Sequence, residues 1–246
     1  MDFRLHYPTT IAEAVAARRS TGGSYLCGGT VLLVDHYNGK RIAQDLVSLE
    51  RIEELHRIDE NDETISIGSA CSFSQIEKHP AVKRYLGALY LSAREIGGPQ
   101  IRNRGSIGGN YASASPASDM IAPILVLSPE IVMEDDLIVR FVFRKDEKVR
   151  SAFRKVGKRT ALAVSSVSIA VSNRDGVYRV AVGSCAPKVV LCSRTSEVLS
   201  RGEGIERAKD TLMGEISPID DRWGSAEYRR AVVRNLLERL VEEVSR

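Results

Sequence analysis

Long apolar runs, clustered cysteines and a marked charge imbalance are all missing from this 246-residue sequence. The longest apolar stretches, such as Met120 to Leu127, fall far short of the roughly 20 residues that a membrane-spanning helix needs. Pro123 interrupts that one, so no membrane span is expected. Residues Met1 to Pro8 carry neither the charged start nor the apolar block of a secretion signal, and the expectation is a cytoplasmic chain. Lys and Arg number 35 against 32 Asp and Glu, and a surplus of +3 is too small to argue for a nucleic-acid partner. Cys27, Cys71, Cys185 and Cys192 stand at spacings that fit no zinc or iron–sulfur ligand set, and they read as buried thiols. His6, His36, His56 and His79 are isolated. There is no His-Glu-x-x-His, no Gly-x-Ser-x-Gly, no Gly-x-Gly-x-x-Gly and no phosphate loop ending in Gly-Lys-Ser/Thr. Side chains alone therefore do not carry a reaction here, which points to a borrowed cofactor.

What is present is an ordinary globular composition, 43% hydrophobic and 27% charged, in a length that suits one large domain or two smaller ones. Thr10-Ile11-Ala12-Glu13 matches a helix capping box, and Ser74-Gln75-Ile76-Glu77 offers another before Pro80. Tyr25-Leu26-Cys27 is a brief apolar run that stops at Gly28-Gly29-Thr30, as a strand delivering a glycine loop would. Thr64 to Gly68 alternates like a strand. Leu86, Leu89, Ala93 and Ile96 recur at helical spacing until Gly97-Gly98-Pro99 stops them. Gln100 to Asp119, dense in Gly, Ser and Asn, reads as a long polar loop, and a loop of that length is usually functional.

Downstream the pattern changes. Leu137 to Phe143, Val167 to Ser172 and Val177 to Val182 are rich in β-branched residues, and Asn173-Arg174-Asp175-Gly176 joins the last two as a hairpin. From Tyr228 to Val244 apolar residues fall four apart, predicting a long amphipathic helix with Arg229, Arg230, Arg234, Glu238, Arg239 and Glu242 facing outward. The change of pattern divides the chain near residues 135–148.

Gly28-Gly29-Thr30 and Ser106-Ile107-Gly108-Gly109-Asn110 are the segments closest to chemistry. Glycine lets a backbone approach a ligand closely, and successive amides there can hold anionic oxygens. Taken alone each glycine pair is a turn signal; taken together, they suit two sides of a diphosphate.

In order and spacing, Tyr25-Leu26-Cys27-Gly28-Gly29-Thr30, the run Gln100 to Asn110 and its continuation Ala114 to Asp119 resemble the two FAD signatures of the flavoprotein subunit of molybdenum hydroxylases. These are the medium subunits of xanthine dehydrogenase and carbon monoxide dehydrogenase. Phe3 to Thr10, Phe153 to Arg159 and Gly224 to Arg230 extend the similarity over nearly the whole chain. The resemblance implies an α+β protein: a two-part FAD-binding domain of the vanillyl-alcohol-oxidase (PCMH) type in residues 1–140, then a smaller antiparallel-sheet-plus-helix domain in 141–246. It implies that Tyr25, Leu26, Cys27, Gly28, Gly29, Thr30, Val31 and Leu32 wrap the FAD diphosphate. Ser106, Ile107, Gly108, Gly109 and Asn110 would close on it, Asp119 would hold a polar group of the cofactor, and Lys155 or its neighbour Arg154 would sit toward the flavin. No residue is assigned a catalytic role.

The resemblance further implies an electron-transfer subunit in a heterotrimer. A molybdopterin-containing large subunit and a [2Fe-2S] small subunit would be the partners, and electrons would leave to NAD or another acceptor. Three departures stand out. Cys27 replaces a frequent Ala, Val31 replaces a more polar residue, and the stretch Leu127 to Phe143 is shorter than in most relatives. The shortened stretch motivates the rival expectation of a flavin-less assembly or nucleotide-sensing module that retains the fold.

Overall fold

Three short strands open the chain and pair in parallel: β1 (Arg4–His6), β2 (Ser24–Leu26) and β3 (Asp45–Ser48), in the order β1-β3-β2. The structure is a computed structural model that describes residues 3–159 and 163–246. The central strand β3 is buried along its whole length, as the middle of a parallel sheet requires. Helix α1 (Ile11–Thr21) begins where the sequence predicts, with Thr10 Oγ1 accepting from the Glu13 amide at 3.2 Å. The Glu13 carboxylate accepts from the amide and hydroxyl of Thr9 instead of closing the box on Thr10. Helix α2 (Leu32–Tyr37) follows β2 directly after the glycine loop.

A second, antiparallel sheet contains β4 (Ile58–Glu60), β5 (Thr64–Gly68), β6 (Glu130–Glu134) and β7 (Leu137–Arg144), in the order β4-β5-β7-β6. Between β5 and β6 lie six short helices: α3 (Phe73–Lys78), α4 (Pro80–Tyr85), α5 (Gly87–Glu95), α6 (Pro99–Arg104), α7 (Ile107–Ala112) and α8 (Ile121–Leu127). Two expectations are corrected here. The capping box uses Ser72 and Gln75, not Ser74 and Glu77, because the helix begins two residues earlier. The segment from Gln100 to Asp119 is not one loop, since α6 and α7 occupy much of it. Alternate residues of β5 and β7, Ile65, Ile67, Phe141 and Phe143, share a core with Ile76, Leu89 and Ile107 of the helices.

Strand β7 runs unbroken across the division expected at 140/141 and pairs with β5 and β6, so by hydrogen bonding it belongs to the first half. Glu134 pairs with Leu137 around a tight turn at Asp135, whose φ is 54°. The short stretch between Leu127 and Phe143 is thus a closed hairpin of continuous chain.

The second half is a four-stranded antiparallel sheet of β8 (Val149–Gly157), β9 (Ser165–Arg174), β10 (Val177–Gly183) and β11 (Val190–Leu191), in the order β11-β10-β9-β8. Helices α9 (Ser193–Ser200), α10 (Ile205–Met213) and α11 (Ala226–Ser245) complete it. Val167, Ile169 and Val171 of β9 face Val233, Leu237 and Leu240 of α11. The opposite face of the sheet is lined by small residues, Ala170 and Ala181, which let Ala88 of α5 and Ala122 of α8 pack close. Both faces of β9 are therefore covered, one by its own helix and one by the first half. Arg229 does not face outward as its spacing predicts. It is 3% exposed, and its guanidinium donates to the Ser184 carbonyl at 2.5 Å and pairs with Asp221.

Candidate functional site

The site is built from the end of β2. A parallel strand followed by a glycine turn and a helix leaves backbone amides at the carboxyl end of the strand, where parallel sheets commonly receive ligands. Gly29 has a φ of +70°, which a side chain would strain, and a Cβ there would also press on Leu33. The carbonyls of Gly29 and Val31 accept from Leu33 and Asp35 at 3.1 and 2.8 Å, so the chain is already winding. The amides of Gly29, Thr30, Val31 and Leu32 donate to no other group among the described residues. Four successive donors left open make a nest for an anion. Tyr25 and Leu26 support this loop from the strand: the Tyr25 hydroxyl donates to Asp136 Oδ1 at 3.0 Å, and the Leu26 carbonyl accepts from the Leu49 amide at 2.9 Å.

The second glycine segment lies against the first. Gly28 sits so close to the Arg104 carbonyl that an added Cβ would overlap it. The Cys27 thiol contacts Ser106, and its burial pushes the thiol above its ordinary range, so it is no reactive thiolate. Cys27 and Gly28 also share a small concavity of about 130 Å³ with Asn103 and Arg104.

The second segment does not repeat the nest, however. Ser106 caps α7 by accepting the Gly109 amide at 3.2 Å, while the Ile107, Gly108 and Asn110 amides donate to the carbonyls of Cys71, Ser69 and Ser106. Gly108 is glycine because Ser69 packs on it, with an added Cβ falling 2.6 Å from the serine Cβ. Gly109 is exposed, and the nearest atom to an added Cβ is Ser106 Oγ at 3.0 Å. This segment therefore offers a bare surface, not a row of donors. Asn110 ties that surface to the next segment, its Oδ1 accepting from the Met120 amide at 3.2 Å.

Asp119 immediately precedes Met120 and is buried, 7% exposed. Its Oδ2 accepts from Lys155 Nζ at 2.8 Å and its Oδ1 from Ser165 Oγ at 2.5 Å. Burial pushes the Asp119 carboxyl above the usual range, opposed by the Lys155 ammonium and by these two hydrogen bonds. The sequence offers Lys155 or Arg154 for the position near the cofactor, and strand alternation separates them. Arg154 bonds Glu243 of α11 at 2.8 Å, whereas Lys155 faces the first half. Ser165 is the residue that sequence reasoning missed; the serine-rich start of β9 is its only signal. Lys155 also lines a cavity of about 520 Å³ between the two halves, bounded by Arg94, Glu95 and Gly97 on one side and Gly157 on the other.

The arrangement fits a diphosphate-bearing cofactor in one respect in particular: the open amides of Gly29 to Leu32 suit two adjacent anionic groups, and Gly109 leaves room beside them. Among the described residues no helix is long and apolar enough to cross a membrane.

Comparison with known proteins agrees on both halves. Residues 1–140 match the family described as the FAD binding domain in molybdopterin dehydrogenase, and residues 151–244 match the CO dehydrogenase flavoprotein C-terminal domain. The chain is 28% identical to the nicotinate dehydrogenase FAD-subunit of Eubacterium barkeri, over 99% of this chain and 96% of that one. It is 25% identical to the carbon monoxide dehydrogenase medium chain of Hydrogenophaga pseudoflava, over 96% and 95%. A solved structure of carbon monoxide dehydrogenase from Hydrogenophaga pseudoflava superposes with a TM-score of 0.91 at 24% identity, covering 98% of this chain and 96% of that chain, which establishes the shared fold. With the first family spanning more than half of its length, this chain belongs to the FAD-binding family of molybdopterin dehydrogenases, an oxidoreductase component whose cofactor is FAD.

Proposed function

We propose that this chain is the electron-transfer subunit of a molybdopterin-dependent hydroxylase or dehydrogenase resembling xanthine dehydrogenase. Bound FAD would supply the redox chemistry. The partners would be a molybdopterin-containing large subunit and a [2Fe-2S] small subunit, assembled as a cytoplasmic heterotrimer, with NAD or another acceptor taking the electrons away. The names of the relatives, an FAD-subunit and a medium chain, support a subunit role.

In this reading residues 1–140 form the FAD-binding part and 141–246 the smaller second part, except that residues 141–144, the end of β7, pair with β5 and stay with the first. The Gly29 to Leu32 amides hold the diphosphate, and Tyr25 to Gly28 brace that loop. Ser106 to Asn110 present the Gly109 surface to the cofactor. Asp119 orients Lys155 at the junction of the halves, so the lysine reaches the cofactor side already paired. The open row of amides is the observation that carries the proposal.

The test is spectroscopic. The purified chain, incubated with FAD and freed of excess, is expected to show a bound-flavin absorption spectrum that dithionite bleaches and air restores. A colourless chain after this treatment would support the flavin-less assembly module instead.

A further inference from the structure

Strand β2 delivers the amide row, yet it is three residues long and lies at the edge of its sheet, paired among the described residues with β3 alone. A further hold on it comes from the turn between β6 and β7. That turn is tight, with Glu134 paired to Leu137, so Asp135 and Asp136 at its tip have little freedom. Asp136 Oδ1 accepts from the Tyr25 hydroxyl at 3.0 Å. Asp136 Oδ2 lies 3.4 Å from the Arg18 guanidinium, which sits 6.0 Å from the centre of the Tyr25 ring. Asp135 turns to a different partner, its Oδ2 accepting from Arg19 Nε at 2.7 Å. Beside these contacts Val132, Leu137 and Val139 of the hairpin share a core with Val15 of α1, and Tyr25 and Cys27 pack against it. Burial, with the Asp136 carboxylate adding to it, pushes the Tyr25 hydroxyl above its ordinary range, so it stays a proton donor.

We propose that Asp136 is a positioning residue for cofactor binding: by holding the Tyr25 hydroxyl it fixes where β2 ends, and with it where the open amides of Gly29 to Leu32 point. The role rests on the proposed function, which assigns the diphosphate to those amides. Three holds act on the stretch from Tyr25 to Gly28. Leu26 is tied through its carbonyl to the Leu49 amide, and Gly28 lies against the Arg104 carbonyl. Those two use backbone. The hold on Tyr25 is the one made by side chains, and it comes from the neighbouring antiparallel sheet. The Asp136 side chain is 51% exposed, and surface contacts of this kind contribute little to stability. Their effect is on direction, because donors already aimed at a ligand bind it without first being ordered.

The experiment follows FAD affinity of the full chain by flavin fluorescence, together with the amide resonances of Gly29 to Leu32 and the melting temperature of the cofactor-free chain. Asp136→Ala is expected to weaken FAD binding by about fivefold, within the range of one hydrogen bond, to shift those four amide resonances, and to melt close to the parent. Asp136→Asn keeps an acceptor oxygen for Tyr25 and should restore most of the affinity. Tyr25→Phe, which keeps the ring and loses only the hydroxyl, should match Asp136→Ala, and the double variant should bind no worse than either single one. Asp135→Ala, one residue away on the same turn, should bind FAD as the parent does. The proposal is overturned if Asp136→Ala retains full affinity, if its loss and that of Tyr25→Phe add in the double variant, if Asp135→Ala weakens binding equally, or if the four amide resonances do not move. Should Asp136→Ala fail to fold, Tyr25→Phe and Asp136→Asn decide the matter, since full affinity in Tyr25→Phe overturns it as well. A parent chain that takes up no FAD strikes at the proposed function instead, and the amide resonances of the cofactor-free variants still decide whether Asp136 sets the loop.

Discussion

Lys155 Nζ lies 2.8 Å from Asp119 Oδ2, and this one bond joins a strand of the second sheet domain to the segment that enters α8. Both side chains are 9% exposed, so each is the other's main source of charge compensation. Asp119→Asn would leave the ammonium buried with no counter-charge. Removing one partner of a buried pair costs about 3–5 kcal/mol, and urea unfolding should show a loss of that order. Replacing the pair together, with Asp119→Asn and Lys155→Met, should recover much of it.

Gly28 and Gly109 should respond to substitution in opposite ways. Gly28→Ala places a Cβ against the Arg104 carbonyl, backbone that cannot swing aside, and overpacking of this kind costs about 1–3 kcal/mol. Gly109→Val meets only Ser106 Oγ, a side-chain atom, so the fold should survive while FAD retention is lost. Thermal melts and flavin-to-protein absorbance ratios, measured on both variants, separate the two effects. Full flavin content in Gly109→Val would remove that residue from the binding surface.

Much of this was legible in the sequence, and what was not has physical causes. The β2 glycine loop, the hairpin turn at Asp175-Gly176 and the helix α11 announced themselves because each is encoded locally, by turn residues or by periodicity. Helices α6 and α7 did not, being six residues each, the second with two glycines and an asparagine. Helices that short have no stability of their own, and α7 is held by Ser69, Cys71 and its Ser106 cap. Arg229 looked like a surface residue because its acceptor, the Ser184 carbonyl, is remote in sequence. The same blindness hid Ser165 and the spent amides of the second glycine segment, whose partners also come from elsewhere in the chain.

Asp45 supplies a pH dependence. Hydrogen bonds from His6 at 2.8 Å and Arg4 at 2.6 Å hold its carboxyl below the usual aspartate range. A depressed folded-state value means that unfolding takes up a proton at low pH. The stabilisation is therefore present above the ordinary aspartate value of about 4 and is lost as pH falls through the lower folded value. Asp45→Asn should be less stable than the parent near neutrality, and the gap should close in acid. A gap that stayed constant down to the acid limit would show that the carboxylate charge plays no part.

Arg229 should be among the least replaceable residues of the second half. Arg229→Leu removes the donor to the Ser184 carbonyl and the partner of Asp221, both held at the start of α11. An unsatisfied buried acceptor costs about 1–3 kcal/mol. The melting temperature of the variant should fall, and Arg229→Lys should restore only part of the loss, since an ammonium lacks the guanidinium fork.

Gly28 meets the Arg104 carbonyl backbone on backbone, so the ends of β2 and α6 abut with no side chain between them. The loop that carries the open amides starts at that contact, and its position therefore depends on how the parallel sheet sits against the helical layer.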